Sequence, residues 1–109
     1  MNLPPDNFAL LTRMEDACRQ TQSHLHLVER QIAIRAERMA ITFRAKGRQF
    51  GQGRSTWTNA DERVFRNNVA TLTFARRADI EALNRKLSRQ ERAIADFRRR
   101  LGLELSDGA

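Results

Sequence analysis

Between Arg30 and Ala60 the chain holds seven cations (Arg30, Arg35, Arg38, Arg44, Lys46, Arg48 and Arg54) and one acid, Glu37. An excess of six positive charges in 31 residues is the kind of feature that neutralises phosphates along a nucleic-acid backbone. Phe50 and Trp57 interleave with the last four cations, as rings that stack on unpaired bases do. Three of the five glycines, Gly47, Gly51 and Gly53, fall in the same stretch, KGRQFGQGRSTWTNAD. The candidate contact set is therefore Arg44, Lys46, Arg48, Gln52, Gly53, Arg54 and Trp57. The competing reading is a solvated turn, its glycines a flexible connector and its rings folded back to plug the end of a helical core.

Other chemistry finds no footing. His24 and His26 are two residues apart, a chelating spacing on a strand, but on a helix the rings diverge by about 200°. Cys18 falls on an apolar seam, where a small buried thiol is ordinary. There is no Cys-x-x-Cys, phosphate loop or Glu-x-x-His pair. Carboxylates alternate with arginines (Asp79 and Glu81 near Arg85, Glu91 near Arg92), the pattern of surface pairing on helices. The expectation is a protein that is not an enzyme and needs no metal or cofactor.

Gln52-Gly53-Arg54 resembles the tripeptide with which nucleoid-structuring proteins of the H-NS type enter a narrow AT-rich minor groove. The resemblance covers three residues, and the surrounding chain has neither that family's compact DNA-binding domain nor its preceding coiled-coil arrangement. It implies close approach at Gly53, with the side chains of Gln52 and Arg54 lying along the groove floor.

The elements that must position these residues are helices. Ala, Arg, Leu, Gln and Glu dominate, and both prolines stand at positions 4 and 5. The spacing predicts one helix over about 6–46, opened by Pro4-Pro5-Asp6 and closed at Gly47. A basic, glycine-rich bend over about 47–58 follows, then a second helix over about 59–101 and a short tail over 102–109. Thr58 with Asp61, or Asn59 with Glu62, has capping-box spacing at the second helix start. Gly102, after Arg98, Arg99 and Arg100, signals its stop.

Leu11, Met14, Cys18, Thr21, Leu25, Val28, Ile32, Met39 and Thr42 follow steps of three and four, interrupted by Arg35. Ile80, Leu83, Leu87, Ile94, Phe97 and Leu101 do the same around Gln90. Phe65, Val69 and Leu72 join that series only through a one-residue shift near Arg76, a stutter in the heptad. The fold class expected is all-α: a single-domain, long antiparallel two-helix hairpin, coiled-coil-like, each arm about 60 Å long. Breaks near residues 20–23 or 67–68, giving a shorter bundle, are the rival. Leu27, Ile34 and Ile41 lie off the seam at steps of seven, and Ala70, Phe74, Ala78 and Ala82 form a row on the second helix. Leu27, Ile34, Ile41 and Phe74 are thus the expected interface of a homodimer, a four-helix bundle.

The net charge of +7 favours polyanionic partners. In the hairpin, Asp6, Glu15 and Asp16 would lie near Arg92 and Arg98–Arg100, leaving the excess at the bend. The start lacks a signal-peptide pattern, a lone cysteine fits a reducing compartment, and no stretch is apolar enough to span a membrane; the expectation is a cytoplasmic protein. The function expected is non-enzymatic binding of nucleic acid, DNA rather than RNA, through the bend. The alternative is a coiled-coil adaptor or assembly protein (phage, plasmid or secretion-system type) that binds a partner helix. The Trp-x-Gly bend of the WXG secreted hairpins is absent, since this chain reads Trp57-Thr58-Asn59.

Overall fold

The computed structural model describes residues 5–47 and 56–107. Its described residues form three α-helices and no strand: α1 (Pro5–Gly47), α2 (Asn59–Ala75) and α3 (Arg77–Asp107). None of these helices is long and apolar enough to cross a membrane. The chain divides into two units, residues 1–25 with 81–109 (unit 1) and residues 26–80 (unit 2), and α1 contributes to both.

In unit 1 the first half of α1 packs against α3. Cys18, Thr21, Ile94 and Leu101 are buried, flanked by half-buried Leu11, Met14, Leu25, Leu83, Leu87 and Phe97. These are the expected seam residues, and full burial of a side chain such as Ile94 or Leu101 contributes about 1.5–3 kcal/mol. The pairing is antiparallel: Glu15 meets Arg98, while Thr21 and His24 share a depression with Gln90, Lys86 and Leu83. Gln90 interrupts the apolar series as expected, and its Oε1 is buried without a hydrogen-bond partner. Thr21 satisfies its own hydroxyl by donating to Ala17 O at 3.2 Å. The expected pairing of acids with the arginines of the second helix holds for Glu15 and Arg98, whereas Asp16 pairs within its own helix with Arg19.

Unit 2 pairs the rest of α1 with α2, again antiparallel, with contacts from Gln31 to Arg76, Ala36 to Asn68 and Arg44 to Asp61. Here the seam departs from expectation. The buried line of α1 is Val28, Ile32, Ala36 and Ala40, while Met39 is 41% exposed and Thr42 is exposed. From Val28 onward the core therefore advances in steps of four, drifting about 40° per step around the helix. The cause is size. Ala36 and Ala40 let α2 come close enough for Asn68 Nδ2 to donate to Ala36 O at 3.2 Å, and Met39 cannot occupy that space. α2 itself contains no fully buried residue.

One helix is expected over 59–101, and two are present. The break falls at Arg76, where the heptad shift is needed and where neither Gly nor Pro occurs. Arg76 has φ −106° and ψ 14°, and its N–H is shared between Leu72 O (3.1 Å) and Thr73 O (3.2 Å). Such a three-centre bond absorbs the phase shift within one residue. α1 is continuous through residues 20–23 and α2 through 67–68, so neither rival break occurs. The far end differs too: α3 passes the expected stop at Gly102 and runs to Asp107. A glycine inside an exposed helical turn costs only about 1 kcal/mol, and leucines and a glutamate follow it.

Candidate nucleic-acid interface

The first turn of α2 is fixed by its own side chains. Thr58 is the N-cap, in extended conformation, and its Oγ1 accepts from Asp61 N at 3.1 Å. Asp61 Oδ2 in return accepts from Thr58 N at 2.8 Å, which closes the capping box. This selects the Thr58–Asp61 alternative over Asn59–Glu62.

Arg44, one of the expected phosphate contacts, is engaged here. Its Nε lies 3.3 Å from Asp61 Oδ2, with the two side chains only 12% and 13% exposed. Its Nη2 donates to Thr56 O. Arg44 thus fastens the last turn of α1 to the start of α2, and its charge is already met by a carboxylate in a largely dry setting.

Trp57 sits beside this clamp. Its Nε1 donates to Glu62 Oε2 at 2.9 Å, and its ring meets the Phe65 ring edge-on, centroids 6.5 Å apart and planes at 69°. The residue remains 40% exposed, so one part is spent on α2 and another faces solvent. Lys46 is exposed in the last turn of α1. Arg48, Gln52, Gly53 and Arg54 lie outside the described residues, as does Phe50.

Glu62 accepts from Trp57 and also from Arg66 Nε at 3.1 Å, and these two hydrogen bonds hold its carboxyl below the ordinary glutamate range. A depressed native value means that the stabilisation is present above the unfolded-state value and is lost as pH falls through the folded-state value. Trp57 is the sole tryptophan, so its emission reports this contact directly. Acidification should shift that emission at a pH below about 4.3, the ordinary glutamate value. Glu62→Gln should abolish the transition. Emission that stays flat in the unaltered protein from pH 5 to 2 would contradict the contact.

The charge is unevenly divided. Unit 2 carries eleven Arg/Lys residues and five Asp/Glu, so six of the seven net charges belong to it. Arg30, Arg35, Arg38, Lys46 and Arg63 are exposed and have no ion-pair partner among the described residues. Asp61 and Glu62 are partners of the expected site that carry no sign of that use in the sequence. Their capping spacing was visible, but their use by Arg44 and Trp57 depends on how the helices meet.

The expected interface residues are exposed: Leu27 50%, Ile34 45%, Ile41 50% and Phe74 65%. At 100° per residue, Ile34 lies about 160° around α1 from buried Ile32 and Ala36, while Leu27 and Ile41 lie about 100° from buried Val28 and Ala40. Phe74 is covered on one face by the Arg77 guanidinium, 4.0 Å from the ring centroid.

No known protein family matches this chain, nor does any curated protein or solved structure.

Proposed function

We propose that the chain is a small, basic, non-enzymatic nucleic-acid-binding protein of the cytoplasm, acting on DNA rather than RNA. It grips the phosphate backbone through unit 2 and the Arg/Gly-rich stretch that joins α1 to α2. The observation that carries this reading is the placement of six of the seven net charges in one unit, where five cations are exposed and have no ion-pair partner among the described residues. Within the proposal, Lys46, Arg48 and Arg54 contact phosphate, Gln52 and Gly53 allow close approach, and the exposed part of Trp57 meets a base or sugar. Arg44 shapes the site through Asp61 rather than touching the ligand. The scaffold proposed is a long antiparallel hairpin, supported by antiparallel pairing within each unit, that dimerises through Leu27, Ile34, Ile41 and Phe74 into a four-helix bundle.

Replacing Arg48 and Arg54 together by Ala tests the assignment. Each phosphate contact removed should lower the slope of log K against log salt by about one unit. Loss of an Arg54 contact in a narrow minor groove should weaken AT-rich duplex more than GC-rich duplex. Helicity should be unchanged. Affinity equal to that of the unaltered protein on every duplex would remove these residues from the site.

The exposed stripe of Leu27, Ile34, Ile41 and Phe74 also favours a second reading, a coiled-coil adaptor or assembly protein whose stripe holds another protein's helix. A stable homodimer that occupies the stripe would set that reading aside.

A further inference from the structure

Beside the α1–α2 seam of unit 2 lies an open groove of about 430 Å3, lined by Gln31, Ile32 and Arg35 from α1 and by Leu72, Ala75 and Arg76. Ile32, Leu72 and Ala75 supply aliphatic surface, and each side of the groove brings one guanidinium. Arg76 is oriented across the helices: it donates through Nη1 to Gln31 Oε1 at 3.0 Å, and its Nε lies 3.8 Å from Asp79 Oδ2. Arg35 is exposed and has no ion-pair partner among the described residues. Two arginines thus line a groove that has no acid among its lining residues, and Asp79, 68% exposed, approaches Arg76 only at 3.8 Å. The excess charge and the fork geometry of guanidinium suit the oxygens of a phosphate.

The groove is continuous with the cations toward the C-terminal end of α1. Gln31, Arg35, Arg38, Thr42 and Lys46 follow steps of three and four and are all exposed, so they form one row along α1. From Arg35 to Lys46 the row rises about 16 Å, the axial span of about five phosphates on one strand of duplex.

We propose that the Arg35–Arg76 groove is a phosphate subsite, and that the nucleic-acid backbone runs along the Lys46–Arg35 row of α1 to reach it. This rests on the nucleic-acid reading and specifies its path: a phosphodiester takes both guanidiniums and displaces Asp79 from Arg76. Asp79 is then a competitor of the ligand, and its removal has the opposite sign to removal of an arginine.

The test uses the full chain with a labelled 20-base-pair duplex, and separately with inorganic tripolyphosphate in calorimetry. Arg35→Gln should lower the salt slope on the duplex by about one unit. Asp79→Asn should strengthen duplex binding about two- to fivefold at low salt, the range of an exposed ion pair. Tripolyphosphate should bind the unaltered protein and bind Arg35→Gln more weakly. Salt-sensitive duplex binding that both variants leave unaltered would overturn the groove while sparing the nucleic-acid reading. Failure of every nucleic acid to bind would overturn that reading, and tripolyphosphate binding that depends on Arg35 would still keep the groove as a phosphate site. Absence of tripolyphosphate binding together with unaltered duplex affinity in Arg35→Gln would eliminate it.

Discussion

Ala36→Leu should melt well below the unaltered protein. Ala36 is fully buried in unit 2, and its carbonyl accepts from Asn68 Nδ2 at 3.2 Å, which requires the two helices to lie close. Three more carbons at that position hold α2 away. Overpacking of this kind costs about 1–3 kcal/mol, and loss of the Asn68 bond adds about 0.5–1.5 kcal/mol. For a chain of this size each kcal/mol lowers Tm by about 4–8 °C. Ala33→Leu, at an exposed position of the same helix, should leave Tm nearly unchanged and serves as the control. Equal Tm values for the two variants in thermal circular dichroism would contradict the step-of-four seam.

Ile34→Glu should have the other large effect, on assembly. In the proposed dimer Ile34 stands mid-way along the Leu27–Ile41 stripe, directly away from the core of its own unit. A two-fold interface places two copies of any substitution in contact or close to it, so a glutamate there buries two carboxylates without partners. The dimer dissociation constant should rise by at least about a hundredfold, equivalent to about 2.7 kcal/mol. Helicity should survive, because the intrinsic preferences of Ile and Glu for helix differ by only about half a kcal/mol or less. Sedimentation equilibrium reads the result. An unaltered protein that is monomeric at micromolar concentration would contradict the dimer, and an Ile34→Glu variant that stays dimeric would place its interface elsewhere.

The helical class was legible because strong formers fill the chain between capping signals, and the cap at Thr58 and Asp61 appears as the spacing indicates. The unit 1 seam was legible too, because Cys18, Thr21, Ile94 and Leu101 are spaced regularly and are the larger apolar or near-apolar residues of their turns. In unit 2 the large side chains point to Met39, whereas the buried positions are the small Ala36 and Ala40. Alanine gives little hydrophobic signal, yet it decides how near two backbones approach. The shift near Arg76 was visible as a phase error, but a phase error alone does not distinguish a gradual stutter from a one-residue break.

Charge was legible as a sum and not as a set of partners. Arg44 counts as a cation in sequence, whereas in the fold Asp61 and Thr56 occupy it. Asp61 follows Arg44 by 17 positions, and only the antiparallel packing of α1 and α2 brings them together. Trp57 divides between the two readings that sequence left open: its N–H is tied to Glu62, and the residue is still 40% exposed. Arg35 interrupted the apolar series in sequence; its place beside Arg76 becomes visible only when the helices are paired.

The central claim is that the charge concentrated in unit 2 serves a nucleic-acid backbone. Its most direct test is a titration of the unaltered protein against duplex DNA, single-stranded DNA and RNA at several salt concentrations. The account predicts tightest binding to duplex DNA, with log K falling linearly against log salt at a slope of about −0.9 for each phosphate neutralised. Four contacts, from Arg35, Lys46, Arg48 and Arg54, give a slope of about −3.6. No binding to any of the three at low salt, or an affinity indifferent to salt, would contradict it.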